Sequence, residues 1–114
     1  MWRMVIPQLP VADVAATQAW YRDVLGLELE WTRGDGFGAV RANGAELFFA
    51  KTPEPRAPAT CCVLVDDADF VYAVCREHDV PIEAPISSKP WGMREFSIRD
   101  PNGHLLRIGH STRR

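Results

Sequence analysis

The sequence predicts an α+β fold built from two β-α-β-β-β modules, 1–51 and 59–110, and three features predict it. A set of short strand-like runs around one amphipathic helix occurs twice. Between the copies lies Thr52–Pro58, with three prolines in seven residues, which reads as a linker. The chain closes on Asp100-Pro101-Asn102-Gly103 between two apolar runs. Proline presets φ at the first central turn position and Asn-Gly tolerates positive φ, so this is a tight hairpin. The chain is expected to be one domain, 1–114, with the two modules packed so that their sheets curl into a shared mixed-sheet cup.

In the first module, Val5–Leu9 reads as a strand with Pro7 inside and Pro10 at its end, hence an edge strand or a hinge. Asp13 is placed to cap a helix from Val14 to Leu25. Thr17, Trp20, Tyr21, Val24 and Leu25 share one face at helical spacing, and Gly26 is placed as the left-handed cap. Strands are expected at Leu27–Thr32, Gly36–Arg41 and Glu46–Lys51, separated by the turn compositions Arg33–Gly36 and Ala42–Ala45.

The second module repeats this order. Thr60–Val65 is a continuous apolar run, and Asp66-Asp67 caps a helix reaching about Asp79, with Phe70, Val71, Val74, Cys75 and His78 as its stripe. Pro81 stops it. Strands are expected at Ile82–Ile86, Met93–Arg99 and His104–Gly109, with Phe96 and Ile98 alternating on one face of the penultimate strand.

Composition narrows function. Fifteen acidic against thirteen basic residues give a formal charge of −2, which argues against a nucleic-acid binder. No run of about 18 apolar residues spans a bilayer, and Met1–Val11 is too short and proline-broken for a leader. Cys61, Cys62 and Cys75 are odd in number and not in metal-like spacing, as expected of reduced thiols in a cytoplasmic protein. No nucleophile elbow, phosphate loop or paired-carboxylate spacing is present, and Asp66, Asp67 and Asp69 are explained by capping.

Aromatic residues are the informative excess. Trp31, Phe37 and Trp91 each abut a turn flanked by polar residues, where an aromatic lining a mouth is more expected than a core one. Phe48 and Phe49 are neighbours on one strand, so one faces the cup and the other the helix. Phe48 is taken as the lining residue, although sequence leaves the choice open. Gly92, beside Trp91, is the fifth candidate binding position. Phe49, Phe96 and Trp20 read as core.

The order Pro90-Trp91-Gly92…Arg94-Glu95-Phe96…Asp100-Pro101-Asn102-Gly103 resembles the closing segment of the vicinal oxygen chelate superfamily, which includes glyoxalase I, extradiol dioxygenases and the bleomycin resistance proteins. Leu25-Gly26-Leu27…Trp31…Phe37-Gly38-Ala39-Val40 and Ala59–Asp67 look most like the last of these. The resemblance covers nearly the whole chain. It implies the glyoxalase/bleomycin resistance fold and a homodimer whose first strands can cross between subunits. Such a dimer sequesters an antibiotic of the bleomycin type between aromatic side chains without turnover.

The resemblance implies that most enzymes of the superfamily hold a divalent metal through His, Gln and Glu, with the first ligand seven residues before the helix-opening Asp. In this sequence those positions are Ile6 and Thr60, and Arg107 stands where the closing-strand Glu belongs. Ile, Thr and Arg cannot assemble an oxygen-and-nitrogen site. Gln8 comes into play only by skipping Pro7 and finds no second ligand. His78 is expected at a helix end, and His104 and His110 in solvent. No metal site, catalytic residue or cofactor is therefore expected, although a metal could arrive with the bound drug. A charge of −2 is modest for capture of a cationic ligand, a departure from the family, yet Glu28, Glu30, Asp35 and Glu95 could still concentrate acid near the mouth. Two alternatives remain: a metal-dependent lyase, isomerase or dioxygenase of the same fold, and a sensor for another flat aromatic ligand.

Overall fold

A computed structural model of the chain describes residues 1–113, which form two compact units, Met1–Ala57 and a second that begins at Pro58. The division falls inside the proline-rich stretch.

The first unit runs β1 (Gln8–Val11), α1 (Val14–Leu25), β2 (Glu28–Arg33), β3 (Phe37–Ala42) and β4 (Ala45–Lys51). Its sheet has the order β1-β4-β3-β2, with β1 parallel to β4 and the other pairs antiparallel. The first strand begins three residues later than sequence predicts and contains Pro10. The carbonyls of Pro7 and Val11 accept from the Phe48 and Thr52 amides at 3.0 and 2.9 Å. Pro10 is out of phase with those bonded residues, so its missing N–H points away from β4, where that ladder does not need it.

α1 begins and ends where predicted. Asp13 is extended (φ −141°) and its carboxylate accepts from the Ala16 amide at 2.9 Å. Gly26 takes φ 76°, its N–H returning to the Arg22 carbonyl and that of Leu27 to Tyr21. The buried face is Val14, Thr17, Gln18, Tyr21 and Val24. Trp20 is only half-buried, edge-on to Tyr21 at 5.0 Å, which corrects its assignment to the core.

The second unit repeats the plan as β5 (Thr60–Leu64), α2 (Ala68–Glu77), β6 (Ile82–Ser88), β7 (Met93–Arg99) and β8 (Leu105–Ser111), in the order β5-β8-β7-β6. The repeat extends in part to irregularities. β2 carries a bulge between Leu29 and Trp31; β6 carries one between Ile82 and Ala84 and a second irregularity, absent from β2, between Ala84 and Ser87. Phe96, Ile98, Leu106 and Ile108 form the core beneath α2, with Tyr72 edge-on to Phe96 at 5.0 Å. Val71, Val74 and Cys75 of the predicted stripe are at least partly buried, joined by Ala68 and Tyr72, whereas Phe70, two-thirds exposed, and His78 lie outside it. The cap is as expected: Asp67 accepts from the Phe70 amide at 3.2 Å and the helix starts at Ala68. The helix ends at Glu77, earlier than predicted, because Asp79 takes φ 54°.

Candidate functional site

Register assembles the candidate site in the first unit. Trp31 on β2 pairs with Ala39 on β3, Ala39 with Phe48 on β4, and Phe48 with Gln8 on β1. Direct cross-strand partners share a face, so these four side chains form one row across the whole sheet. Phe49 must then point the other way, and it is fully buried against Tyr21 with centroids 5.1 Å apart. Phe48 is therefore the member of the pair on the open face. Ala39 contributes only a methyl, and the Trp31 and Phe48 rings meet edge to face at 5.0 Å, with 68° between their planes.

The next row brings Arg33 opposite Phe37 and Phe37 opposite Ala50. Together Gln8, Trp31, Arg33, Phe37 and Phe48 line a cleft of about 390 Å³. Phe37 is half-exposed at its rim, and the Arg33 guanidinium lies 5.1 Å from the Trp31 ring centre.

What holds Trp31 in place is a residue that sequence reasoning missed. The bulge leaves Glu30 without a partner on β3. Gln18, buried on α1, donates its side-chain amide to the carbonyls of Trp31 (3.0 Å) and Ala39 (3.1 Å) and accepts from the Thr32 hydroxyl (3.1 Å). Gly38 makes this approach possible, since a Cβ there would lie 2.6 Å from Val14 and 2.7 Å from Gln18. A Gln set among the inward-facing residues of the helix is the signal that could have found it.

The expected acidic mouth is not formed. Glu28 faces Arg41 at 3.8 Å, Asp35 faces Lys51 at 3.3 Å, and Glu95 is bound to Arg107 at 2.9 Å. A hydrogen bond to Glu46 holds the Glu30 carboxyl above its ordinary range, helped by burial and the Glu46 charge and opposed by Arg41. Strand pairing and short turns place Glu28, Asp35 and Glu95 each beside a base, and Glu30 against the carboxyl of Glu46, so the carboxylates are spent locally.

Trp91 and Gly92 stand in the second unit, in the turn before β7. Trp91 is 55% exposed. Gly92 takes φ 84°, and a side chain there would collide with Arg113. Of the histidines, His78 caps α2 as expected. His104 is not solvated but fully buried, its Nδ1 accepting from the Ala59 amide at 2.8 Å. His110 lies within β8 and accepts from the Ala68 amide at 2.8 Å. Both rings serve backbone donors at element starts, which is why they are drawn out of solvent. Burial pushes the Cys75 thiol up to about 11.

Against this geometry the comparisons with known proteins are consistent. The family model for the glyoxalase/bleomycin resistance protein/dioxygenase superfamily matches residues 3–108. The chain belongs to that superfamily. Among solved structures, the bleomycin resistance determinant encoded on transposon Tn5 is 25% identical with a TM-score of 0.81, covering 96% of this chain and 98% of that one. TioX from Micromonospora sp. ML1 is 22% identical (TM-score 0.86; coverage 96% and 99%). Lactoylglutathione lyase from Agrobacterium tumefaciens is 23% identical (TM-score 0.81; coverage 96% and 94%). No curated protein matches the chain.

Superfamily enzymes use a divalent metal, and the residues at the corresponding positions do not fit one. Ile6 offers hydrocarbon, Thr60 a neutral hydroxyl at the start of β5, and Arg107 a cation already bound to Glu95. Among the described residues no three His, Cys, Asp or Glu side chains converge, and no helix is long and apolar enough to cross a membrane.

Proposed function

We propose that this superfamily member is a small-molecule binding protein that sequesters a flat heteroaromatic antibiotic, with the bleomycin type as the first ligand to test, and that it neither turns the ligand over nor needs a cofactor of its own. The observation that carries this reading is the row Trp31–Ala39–Phe48, which opens two aromatic surfaces onto one cleft. Stacking on such surfaces is worth about 1–3 kcal/mol per ring, and a few contacts of that size reach useful affinity with no reacting group. A donor set of Ile, Thr and Arg supports the same reading, because it leaves the metal chemistry of the enzymes without ligands.

In this proposal the protein works in the cytoplasm as a C2 homodimer, and Trp91 and Gly92 supply the opposing wall from a second copy. Titration with metal-free and Cu-loaded bleomycin, followed by tryptophan fluorescence, tests it. Saturable quenching that disappears in Trp31→Ala is expected. Absence of quenching, together with one tightly held divalent metal per purified chain, would overturn the proposal in favour of an enzyme.

A further inference from the structure

Arg33 ends β2 on the wall of the cleft, beside the Trp31 ring. The acid closest to it in sequence, Asp35, is turned to Lys51 at 3.3 Å. Glu28 is directed to Arg41, and Glu30 to Glu46. Among the described residues no carboxylate stands within ion-pair distance of Arg33. The other lining residues, Gln8, Trp31, Phe37 and Phe48, carry no formal charge. The cleft therefore presents one uncompensated positive charge against an aromatic wall.

A guanidinium is permanently charged, weakly hydrated, and presents a planar fork of donors that matches a carboxylate or phosphate. Beside apolar rings its field is less screened than in open water. On the reading that this cleft grips an aromatic ring, we infer that its ligand carries an anionic group, a carboxylate or phosphate, next to the flat ring, and that Arg33 holds that group. Gln8 adds a neutral amide to the same cleft, able to donate to or accept from the polar edge of the ring. A cationic substituent is disfavoured at this position and has to leave the cleft away from Arg33.

Isothermal titration of the intact protein at low salt with four naphthalene probes tests the inference: 2-naphthoate, 2-naphthyl phosphate, 2-naphthamide and 2-naphthylmethylammonium. At least one anion is expected to bind about tenfold more tightly than the amide, and the ammonium more weakly than either. Arg33→Met keeps an apolar stem at an exposed position and should erase the anion's advantage while leaving amide affinity nearly unchanged. Arg33→Lys keeps the charge without the fork and should retain part of the advantage. Circular dichroism of both variants checks that they fold.

If the amide binds as tightly as the anions, the inference falls while the ring-binding cleft stands. An undiminished anion preference in Arg33→Met overturns the role of Arg33. If no probe binds, the cleft itself is misread and both readings fail.

Discussion

The side-chain amide of Gln18 donates to the main-chain carbonyl of Trp31 at 3.0 Å, tying the aromatic wall of the cleft to the buried face of α1. The same nitrogen reaches the Ala39 carbonyl, so one residue satisfies two acceptors beside the bulge in β2. Gln18→Met, close in size but without polar atoms, should leave both carbonyls unpaired. Each unmade hydrogen bond costs about 1–3 kcal/mol. Urea unfolding should show a loss of about 2–6 kcal/mol for the two together, and ring binding should weaken with it. An unchanged midpoint would mean that water replaces the amide.

Trp91 separates function from packing in the second unit. Trp91→Ala should weaken ring binding by about 1–3 kcal/mol with a smaller effect on stability, because the side chain is more than half exposed. Phe96→Ala, in the core, should cost about 3–5 kcal/mol of stability. If Trp91→Ala unfolds the protein while residual affinity survives, Trp91 is a packing residue and does not wall a groove.

His104 joins the closing turn to the start of β5. Its ring accepts from the Ala59 amide, and its own amide donates to Asp100 at 2.9 Å. His104→Phe fills similar space but orphans the Ala59 N–H, at a cost of about 1–3 kcal/mol. Hydrogen exchange should accelerate first at Ala59 and Leu105. Uniform acceleration across both units would argue against a local role.

Acid should weaken the tie between α2 and β7. The Arg94 guanidinium, hydrogen-bonded to Asp69 at 2.8 Å, holds that carboxyl below its ordinary value. A carboxylate with a depressed folded pKa adds stability above its unfolded pKa of about 3.9. That contribution is lost as pH falls through the lower folded value. Asp69→Asn should therefore be less stable than the parent at neutral pH, and the gap should close in strong acid. A gap independent of pH would show that the charge contributes nothing.

Self-association follows from the proposed binding mode. An isologous pair is the common way for identical chains to meet, and sedimentation at micromolar concentration should return twice the chain mass. A monomer at that concentration would leave Trp91 without a partner cleft.

Much of the architecture was legible because local chemistry decides it. Asp13 and Gly26 mark the ends of α1, Asp67 marks the start of α2, and Asp100–Gly103 can only turn. The boundaries that moved did so for non-local reasons: β1 starts at Gln8 because pairing with β4, rather than composition, selects its residues. Phe70 was misplaced because an apolar residue on a helix does not announce which side of the stripe it falls on. Trp31, Phe37 and Phe48 were legible as candidates, yet the partners that shape their cleft were not. Gln18 and Arg33 lie 13 and two residues from Trp31 in the chain, and only strand register and the bulge bring their polar groups to it. The supposed acidic mouth failed for the same reason, since a count of carboxylates does not reveal which bases stand opposite them.

The bulge just before Trp31 in β2 and the one just before Ala84 in β6 let the two rows that follow them be laid against each other. Trp31–Ala39–Phe48–Gln8 then corresponds to Ala84–Ser97–Arg107–Cys62, the row at the same height of the second sheet. In the first half the row is aromatic, and in the second it is small and ionic. The second row is thus a blank on which the first can be rewritten. Grafting Ala84→Trp and Arg107→Phe, with Glu95→Ala to remove the stranded carboxylate, would ask whether backbone geometry alone can transplant a binding cleft from one half of the molecule to the other.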